Sequence, residues 1–225
     1  MYSVAIDGPS GAGKSTLAKR LARHLGWVYV DTGAVYRAVG LACERLGVAP
    51  KDEPEVTSRV LPGLTVELNY SEDGTQITLL CGEDVSTEIR RDVISRFASD
   101  VSSLAAVRQF LLELQRDMAK SRNVVMDGRD IGTVVIPDAT LKIFLTAIPE
   151  VRAMRRQREL ERRGEFKPFD EVLKSLEERD KNDSSRANAP LKQADGAVKL
   201  DTSDFSEDDA FNAALELIKQ RIEDK

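Results

Sequence analysis

Residues 8–16 of the chain read Gly8-Pro9-Ser10-Gly11-Ala12-Gly13-Lys14-Ser15-Thr16, which matches the pattern G-x-x-x-x-G-K-[ST]. A short apolar stretch, Ser3–Asp7, precedes this segment, and an amphipathic stretch, Lys14–Leu25, follows it. Glycines let the backbone turn so that successive N–H groups face phosphate oxygens, and the positive end of the following helix points to the same place. The pattern predicts a strand, a loop that binds the phosphates of a nucleoside triphosphate, and a helix.

Two side chains of this loop have distinct predicted roles. We expect Lys14 to reach the β- and γ-phosphates of the nucleotide and the Ser15 hydroxyl to bind Mg²⁺. We therefore expect Mg²⁺ as the cofactor, bound together with the nucleoside triphosphate. The expected ATP contacts within the loop are Gly8, Pro9, Ser10, Gly11, Ala12, Gly13, Lys14, Ser15 and Thr16.

The rest of the chain alternates short apolar stretches with amphipathic ones, which is typical of a parallel sheet covered by helices on both faces. The predicted strands are Ser3–Asp7, Trp27–Val30, Asn123–Met126, Leu141–Leu145 and Val198–Leu200. The predicted helices after the first are Ala34–Leu46, Ala105–Ser121, Glu150–Arg163, Phe169–Asp183 and Glu207–Ile222. We therefore predict an α/β fold of three layers around a five-stranded parallel sheet.

Two features refine this architecture. Leu64–Asn69 and Gln76–Leu80 flank a turn signal and read as an antiparallel hairpin followed by a loop, so we interpret them as an insertion. Polar groups follow three of the predicted strands, at Asp7-Gly8, Asp31-Thr32-Gly33 and Asp127-Gly128-Arg129. Because ligands of parallel sheets bind at the carboxyl ends of the strands, we expect these three clusters to converge on one site.

Composition narrows the possible functions. The length of 225 residues corresponds to one large domain, and 33 Lys and Arg against 38 Asp and Glu argue against a general nucleic-acid-binding protein. A single histidine and two widely separated cysteines argue against zinc and Cys–His chemistry. The sequence has no apolar run long enough for a membrane span and no basic segment typical of a signal peptide. We expect a monomer located in the cytoplasm.

Many arginines accompany the phosphate loop, among them Arg37 and Arg129. Phosphoryl transfer requires positioning and neutralisation of charge by Mg²⁺, lysine and arginine, so this inventory favours a kinase. A phosphate acceptor is already ionised and needs no strong base. An alcohol acceptor of the shikimate, gluconate or dephospho-coenzyme A kind would need a carboxylate, which Asp31 or Asp130 could supply. That alternative stays open, as does an ATP-binding module without transfer chemistry.

Four blocks of the chain together resemble the bacterial cytidylate kinase family. They are residues 6–16, the segment Asp31-Thr32-Gly33-Ala34-Val35-Tyr36-Arg37, the segment Asp127-Gly128-Arg129-Asp130-Ile131-Gly132-Thr133-Val134-Val135, and Glu178-Arg179-Asp180 with Asp183, Arg186 and Pro190-Leu191. The resemblance implies transfer of the ATP γ-phosphoryl group to CMP or dCMP. It also implies a core of about 1–47, 101–150 and 165–225, an enlarged nucleotide-binding insert of about 48–100, and a short helical lid of about 151–164.

The resemblance assigns roles to individual residues as well. Arg37 and Arg129 would hold the acceptor phosphate beside Thr32, and Asp127 would orient water bound to Mg²⁺. With Lys14, the residues Arg37, Arg129 and Asp127 form the expected catalytic set. The lid residues Arg155 and Arg156 would close on ATP. Cytosine would be read by Ser99, Arg108, Asp130 and Arg186, and the ribose would lie near Arg179 and Asp183.

Elementary hydrogen bonding agrees with part of this assignment. Cytosine offers an amine donor and a ring-nitrogen acceptor, which suit a carboxylate and an arginine respectively. Uracil reverses the pattern, and the same site would leave buried polar groups unpaired. We therefore expect discrimination against uracil.

Overall fold

The computed structural model describes residues 1–223, so the last two residues of the predicted 165–225 core segment lie outside it. The strands are β1 (Ser3–Asp7), β2 (Val28–Asp31), β3 (Val66–Tyr70), β4 (Gln76–Leu80), β5 (Glu83–Asp84), β6 (Val124–Gly128), β7 (Leu141–Thr146) and β8 (Val198–Asp201). The α-helices are α1 (Lys14–Leu25), α2 (Thr32–Leu46), α3 (Glu53–Glu55), α4 (Asp92–Val101), α5 (Ala105–Lys120), α6 (Pro149–Arg162), α7 (Phe169–Ser185) and α8 (Glu207–Glu223).

The central sheet has five parallel strands in the order β2-β6-β1-β7-β8, which confirms the predicted fold class. Strand β6 is buried along its whole length, because helices cover both faces of the sheet there. One face packs against α1 and α8, and the other packs against α2, α4 and α5. Within residues 1–223, no helix combines the length and the apolar content needed to cross a membrane.

The insertion between α2 and α5 is larger than the predicted hairpin. The residues expected to form a loop after the hairpin instead form β5, which pairs antiparallel with β4. The turn between them uses Cys81 and Gly82, both with positive φ, as a tight hairpin connection requires. Helix α4 was not among the predicted helices, although Ile94, Ala98 and Val101 lie at helical spacing. It packs closely on α2 because Gly40 leaves no side chain between them.

The insertion is also fastened to the edge strand β2. The Tyr70 hydroxyl donates to the Tyr29 carbonyl at 3.0 Å. The Gln76 side chain accepts from the Asp31 backbone N–H at 2.8 Å and donates to the Asp31 carbonyl at 3.4 Å. These side chains satisfy backbone groups that an edge strand would otherwise leave unpaired.

The carboxyl end of β1 is fixed by two close contacts. Gly8 has φ +149°, and a Cβ atom there would lie 1.9 Å from the Leu145 carbonyl oxygen, so only glycine fits beside β7. The Asp7 carboxylate accepts the backbone N–H groups of Ile131 and Gly132, both at 2.8 Å, in the turn that follows β6. These contacts hold the start of the phosphate loop against both neighbouring strands.

Asp7 should make the stability of the protein depend on pH. Burial raises the pKa of this carboxyl from its ordinary value of 3.8 to about 6, although the two backbone hydrogen bonds act in the opposite direction. Because the folded-state pKa is raised, the contribution of Asp7 to stability is fully present below pH 3.8 and is lost as the pH rises through about 6. Relative to Asp7→Asn, the wild type should lose about 3 kcal/mol of unfolding free energy over this range. Denaturant unfolding of both proteins between about pH 4 and 7 measures this difference, and a constant difference would contradict it.

Candidate active site

The phosphate loop lies between β1 and α1, at the centre of the carboxyl edge of the sheet. Gly11 and Gly13 have φ +75° and +91°, which let the loop curl over the N-terminus of α1. The Lys14 side chain folds back into the loop and donates to the Pro9 carbonyl at 2.7 Å. Burial and the charge of Arg129 together lower its pKa well below the ordinary value. An anion bound in this loop would relieve both effects.

Asp127, at the end of β6, is the most connected carboxylate next to the loop. Its Oδ2 accepts from the Ser15 hydroxyl at 2.9 Å, and its Oδ1 accepts from the Tyr29 hydroxyl at 2.8 Å. The Thr32 hydroxyl donates to its main-chain carbonyl at 2.8 Å. Burial, with the charge of Asp31, raises the pKa of Asp127. The structure thus brings together Ser15 and Asp127, the two residues expected to serve the metal.

Beside Asp127 lies a cluster of partly buried arginines around the buried Asp183 of α7. The Asp183 carboxylate, only 1% exposed, accepts from Arg129 Nε at 2.7 Å and also pairs with Arg186. Burial would raise the pKa of Asp183, but the charges of Arg129 and Arg186 outweigh this and lower it. Within residues 1–223, Arg179 forms no ion pair, and burial and the charge of Arg129 lower its pKa. The cluster therefore carries positive charge that the protein does not compensate.

Four buried side-chain atoms of the described chain have no hydrogen-bond partner. They are Arg37 Nε, Ser99 Oγ, Arg179 Nε and Arg186 Nε. All four belong to residues expected to bind the acceptor. Because leaving a buried polar group unpaired costs about 1–3 kcal/mol, these atoms mark a site built for a polar ligand.

A cavity of about 250 Å³ opens between the insertion and α7. Ser99 of α4 and Arg186 line it, with Lys51 and Asn182 at its rim. Arg108 is ion-paired with the buried carboxylate of Asp130, on which the charges of Arg186 and Arg129 also act. The four residues expected to read a base are thus drawn from α4, α5 and the segments after β6 and α7.

Asp31 serves the structure rather than acting as a free base. Its carboxylate accepts from the Ala34 N–H at 3.1 Å and caps α2. It also forms an ion pair with Arg90 at 2.9 Å and lies 3.8 Å from Arg37. Burial would raise the pKa of Asp31, but the charges of Arg37 and Arg90 outweigh it and lower the pKa. Sequence reasoning missed Arg90, because its partner lies far away along the chain.

The two arginines predicted to close on ATP, Arg155 and Arg156, have different surroundings. Arg155 approaches the Ala12 carbonyl at 3.5 Å and donates to the Thr202 carbonyl at 2.6 Å, so it lies beside the phosphate loop. Arg156 instead pairs with Asp92 of the insertion at 3.0 Å and with Glu159. The structure therefore does not bring Arg156 together with the other expected ATP contacts.

Arg152, given no specific role from the sequence, is closer to the loop. Its guanidinium donates to the Ser10 carbonyl at 3.0 Å and pairs with Asp180, which accepts the Ser10 N–H at 3.2 Å. Asp180 stands in the block that carried the resemblance, and that position was the only available signal of its role.

Removing the carboxylate at Asp183 should make the protein respond more strongly to anions. In Asp183→Asn the buried guanidinium groups of Arg129 and Arg186 lose their counter-charge, so the unfolding free energy should fall by about 3 kcal/mol. Inorganic phosphate should then raise the Tm more than it does in the wild type, because it supplies the missing charge. Thermal unfolding with and without phosphate at matched ionic strength measures both effects.

The control for this experiment is Asp170→Asn, an exposed change in the first turn of the same helix. It should alter the unfolding free energy by less than about 0.5 kcal/mol and leave the phosphate response as in the wild type. An Asp183→Asn protein with wild-type stability and wild-type phosphate response would show that the cluster is not held by this carboxylate.

Comparison with known proteins agrees with this geometry. The family described as cytidylate kinase matches residues 4–220. The cytidylate kinase of Pelotomaculum thermopropionicum is 49% identical over 201 residues, covering 89% of this chain and 88% of the relative. That of Caldanaerobacter subterraneus subsp. tengcongensis is 46% identical over 217 residues, covering 96% and 94%.

Among solved structures, an uncharacterized protein from Eubacterium ventriosum has the same fold. It superposes with a TM-score of 0.54 at 12% identity, covering 97% of this chain and 99% of that protein. This structural similarity supports the fold and gives no information about function. The family match over nearly the whole chain, together with the two relatives, shows that this protein belongs to the cytidylate kinase family.

Proposed function

We propose that this protein transfers the γ-phosphoryl group of ATP to CMP and dCMP, giving ADP with CDP or dCDP. The observation that carries the proposal is the set of four buried, unpartnered atoms on Arg37, Ser99, Arg179 and Arg186. Three belong to guanidinium groups and one to a hydroxyl, which suits a ligand with an anionic end and a polar base. The family membership of the chain supports the same activity.

The surroundings of the two candidate bases favour a phosphate acceptor over an alcohol. Asp31 is engaged by Arg90 and the start of α2, and Asp130 is engaged by Arg108. Neither carboxylate is free to take a proton from a hydroxyl group without losing an ion pair. A phosphate acceptor makes no such demand, because it is already ionised. The alternative function, phosphorylation of a small alcohol, is therefore not favoured.

The acceptor phosphate is assigned to Arg37 and Arg129, with Thr32 nearby. The charges that act on Lys14 include those of Arg129 and Arg179, which supports a position for Arg179 on the phosphate side as well as near the ribose. Lys14 and these arginines would neutralise charge on the transferring group, and no strong base is required. Asp183 keeps Arg129 in place through its bond to Nε.

The cavity beside Ser99 and Arg186 is assigned to the cytosine ring. The carboxylate of Asp130 matches the exocyclic amine, and the guanidinium groups of Arg108 and Arg186 can donate to the ring nitrogen and carbonyl. A uracil ring would present a donor where the site already has donors. This supports selectivity for cytosine.

ATP is assigned to the phosphate loop and to Arg155, with Arg156 joining only by leaving its pair with Asp92. Ser15 and Asp127 fit Mg²⁺, because their oxygen atoms lie 2.9 Å apart beside the loop and oxygen ligands suit this ion. Asp127 would act through bound water. When bound, Mg²⁺ neutralises charge on the phosphoryl group being transferred.

The remaining parts of the proposal concern the state of the protein. The proposal includes a monomeric state and a location in the cytoplasm. The two cysteines, Cys43 and Cys81, are both free, which fits the cytoplasm.

A panel of acceptors tests the proposed activity directly. With ATP and Mg²⁺, the protein should release ADP with CMP and dCMP, and kcat/KM should be lower by about 10²-fold or more with UMP, AMP and GMP. Shikimate and gluconate should give no release above background. Protein that binds ATP but releases ADP with none of the nucleotides would refute the proposal.

Arg37→Ala separates the acceptor site from the ATP site. The change removes a buried guanidinium assigned to the acceptor phosphate, so kcat/KM for CMP should fall by about 10²–10³-fold while ATP binding is retained. Arg45→Ala is the matched control: Arg45 lies further along the same helix, in exposed pairs with Glu83 and Glu88. Steady-state kinetics and ATP titration of both variants measure the contrast. An equal effect of the two changes would remove Arg37 from the proposed site.

A further inference from the structure

The side chain of Tyr29 is joined to the site by a contact that none of the assigned roles uses. Its hydroxyl donates to Asp127 Oδ1 at 2.8 Å, while the Ser15 hydroxyl donates to Asp127 Oδ2 at 2.9 Å. The two oxygens of one carboxylate are thus each bound by a hydroxyl from a different element, β2 and α1. A carboxylate held at both oxygens has a fixed plane.

Tyr29 itself is held firmly. It lies on the same face of the sheet as Asp127, because β2 and β6 pair in register with Tyr29 opposite Val125 and Asp31 opposite Asp127. The side chain is 7% exposed and packs under α1, with Lys19 Nζ 5.5 Å from the ring centroid. The backbone carbonyl of Tyr29 accepts the hydroxyl of Tyr70 from the insertion. The ring therefore has little freedom to move away from the carboxylate.

We infer that Tyr29 is a positioning residue for Asp127: by occupying Oδ1, its hydroxyl leaves Oδ2 for Ser15 and for the water that Mg²⁺ would carry when bound. This inference rests on the proposed function, which assigns Ser15 and Asp127 to the metal. Residues that hydrogen-bond a metal-linked carboxylate commonly change metal affinity or activity by about 10–100-fold when removed. Nothing in the sequence indicated this role, because an aromatic residue in a buried strand is common.

Tyr29→Phe tests the inference, since it removes the hydroxyl and keeps the ring. The probe is the non-hydrolysable analogue adenylyl imidodiphosphate, titrated once with Mg²⁺ and once with EDTA. In the wild type Mg²⁺ should tighten binding, and in Tyr29→Phe that tightening should shrink by about 10-fold. Binding in EDTA should be unchanged, because the contacts of the phosphate loop with the nucleotide remain.

Tyr70→Phe is the matched control. It deletes a tyrosine hydroxyl that donates to the main-chain carbonyl of Tyr29 and not to Asp127. The tightening of analogue binding by Mg²⁺ should therefore stay as in the wild type. An Mg²⁺ effect in Tyr29→Phe equal to that of the wild type would overturn the inference. A loss of analogue binding in EDTA as well would overturn it too, because it would show a general packing role.

A double-mutant cycle with Asp127→Asn gives a second, independent readout. If Tyr29 acts through Asp127, Tyr29→Phe should have less than about 2-fold effect on the Mg²⁺ dependence once Asp127 is replaced. A full effect in that background would overturn the inference. Failure of the proposed function is distinguishable, since it would show as a wild type without transfer to CMP, whereas these binding titrations do not depend on any acceptor.

Discussion

The pairing of β1 between β6 and β7 is the contact on which the site depends. It puts the phosphate loop, which leaves β1, directly beside Asp127 at the end of β6. The Gly8 backbone approaches the β7 carbonyl at Leu145 too closely for any side chain, and Asp7 binds the turn after β6 through two N–H groups. The loop, the carboxylate of Asp127 and the arginine that follows it are consequently held as one rigid unit. That rigidity lets electrostatic groups face the reacting phosphates without reorganising.

The second constraint is the large positive charge that the arginines bring to the carboxyl edge of the central sheet. Three carboxylates form ion pairs with one or more arginines each and so fix the guanidinium groups in place: those of Asp31, Asp130 and Asp183. The compensation is incomplete at Arg179, and buried donors stay unpaired at Arg37 and Arg186. An anionic ligand that accepts hydrogen bonds from these donors would pair groups that the protein itself leaves unpaired, which favours its binding.

The sequence predicted the features that depend on local pattern. The phosphate loop, the five strands and the polar clusters at their ends all follow from short motifs and alternation, and the structure confirms the fold class built from them. Helix α4 was missed although Ile94, Ala98 and Val101 recur at helical spacing, whereas β5 has only two residues and is defined by its pairing with β4. Nothing in the sequence indicated three further contacts of the site and its surroundings: Arg90 with Asp31, Tyr29 with Asp127, and Asp92 with Arg156. Each contact joins segments far apart in the chain, and no spacing rule connects them.

The insertion is held by two junctions of unequal strength. Toward α2 it packs α4 closely against Gly40, buries Ile94 and Ala98, and adds the hydrogen bonds of Tyr70 and Gln76 to β2. Toward α6 and the segment before α7 it has the carboxylate of Asp92, which pairs with Arg156 and Lys167. Partly exposed ion pairs contribute about 0–1 kcal/mol each, whereas a buried isoleucine alone contributes about 2 kcal/mol. The junction of the insertion with α6 is therefore weaker than its junction with α2.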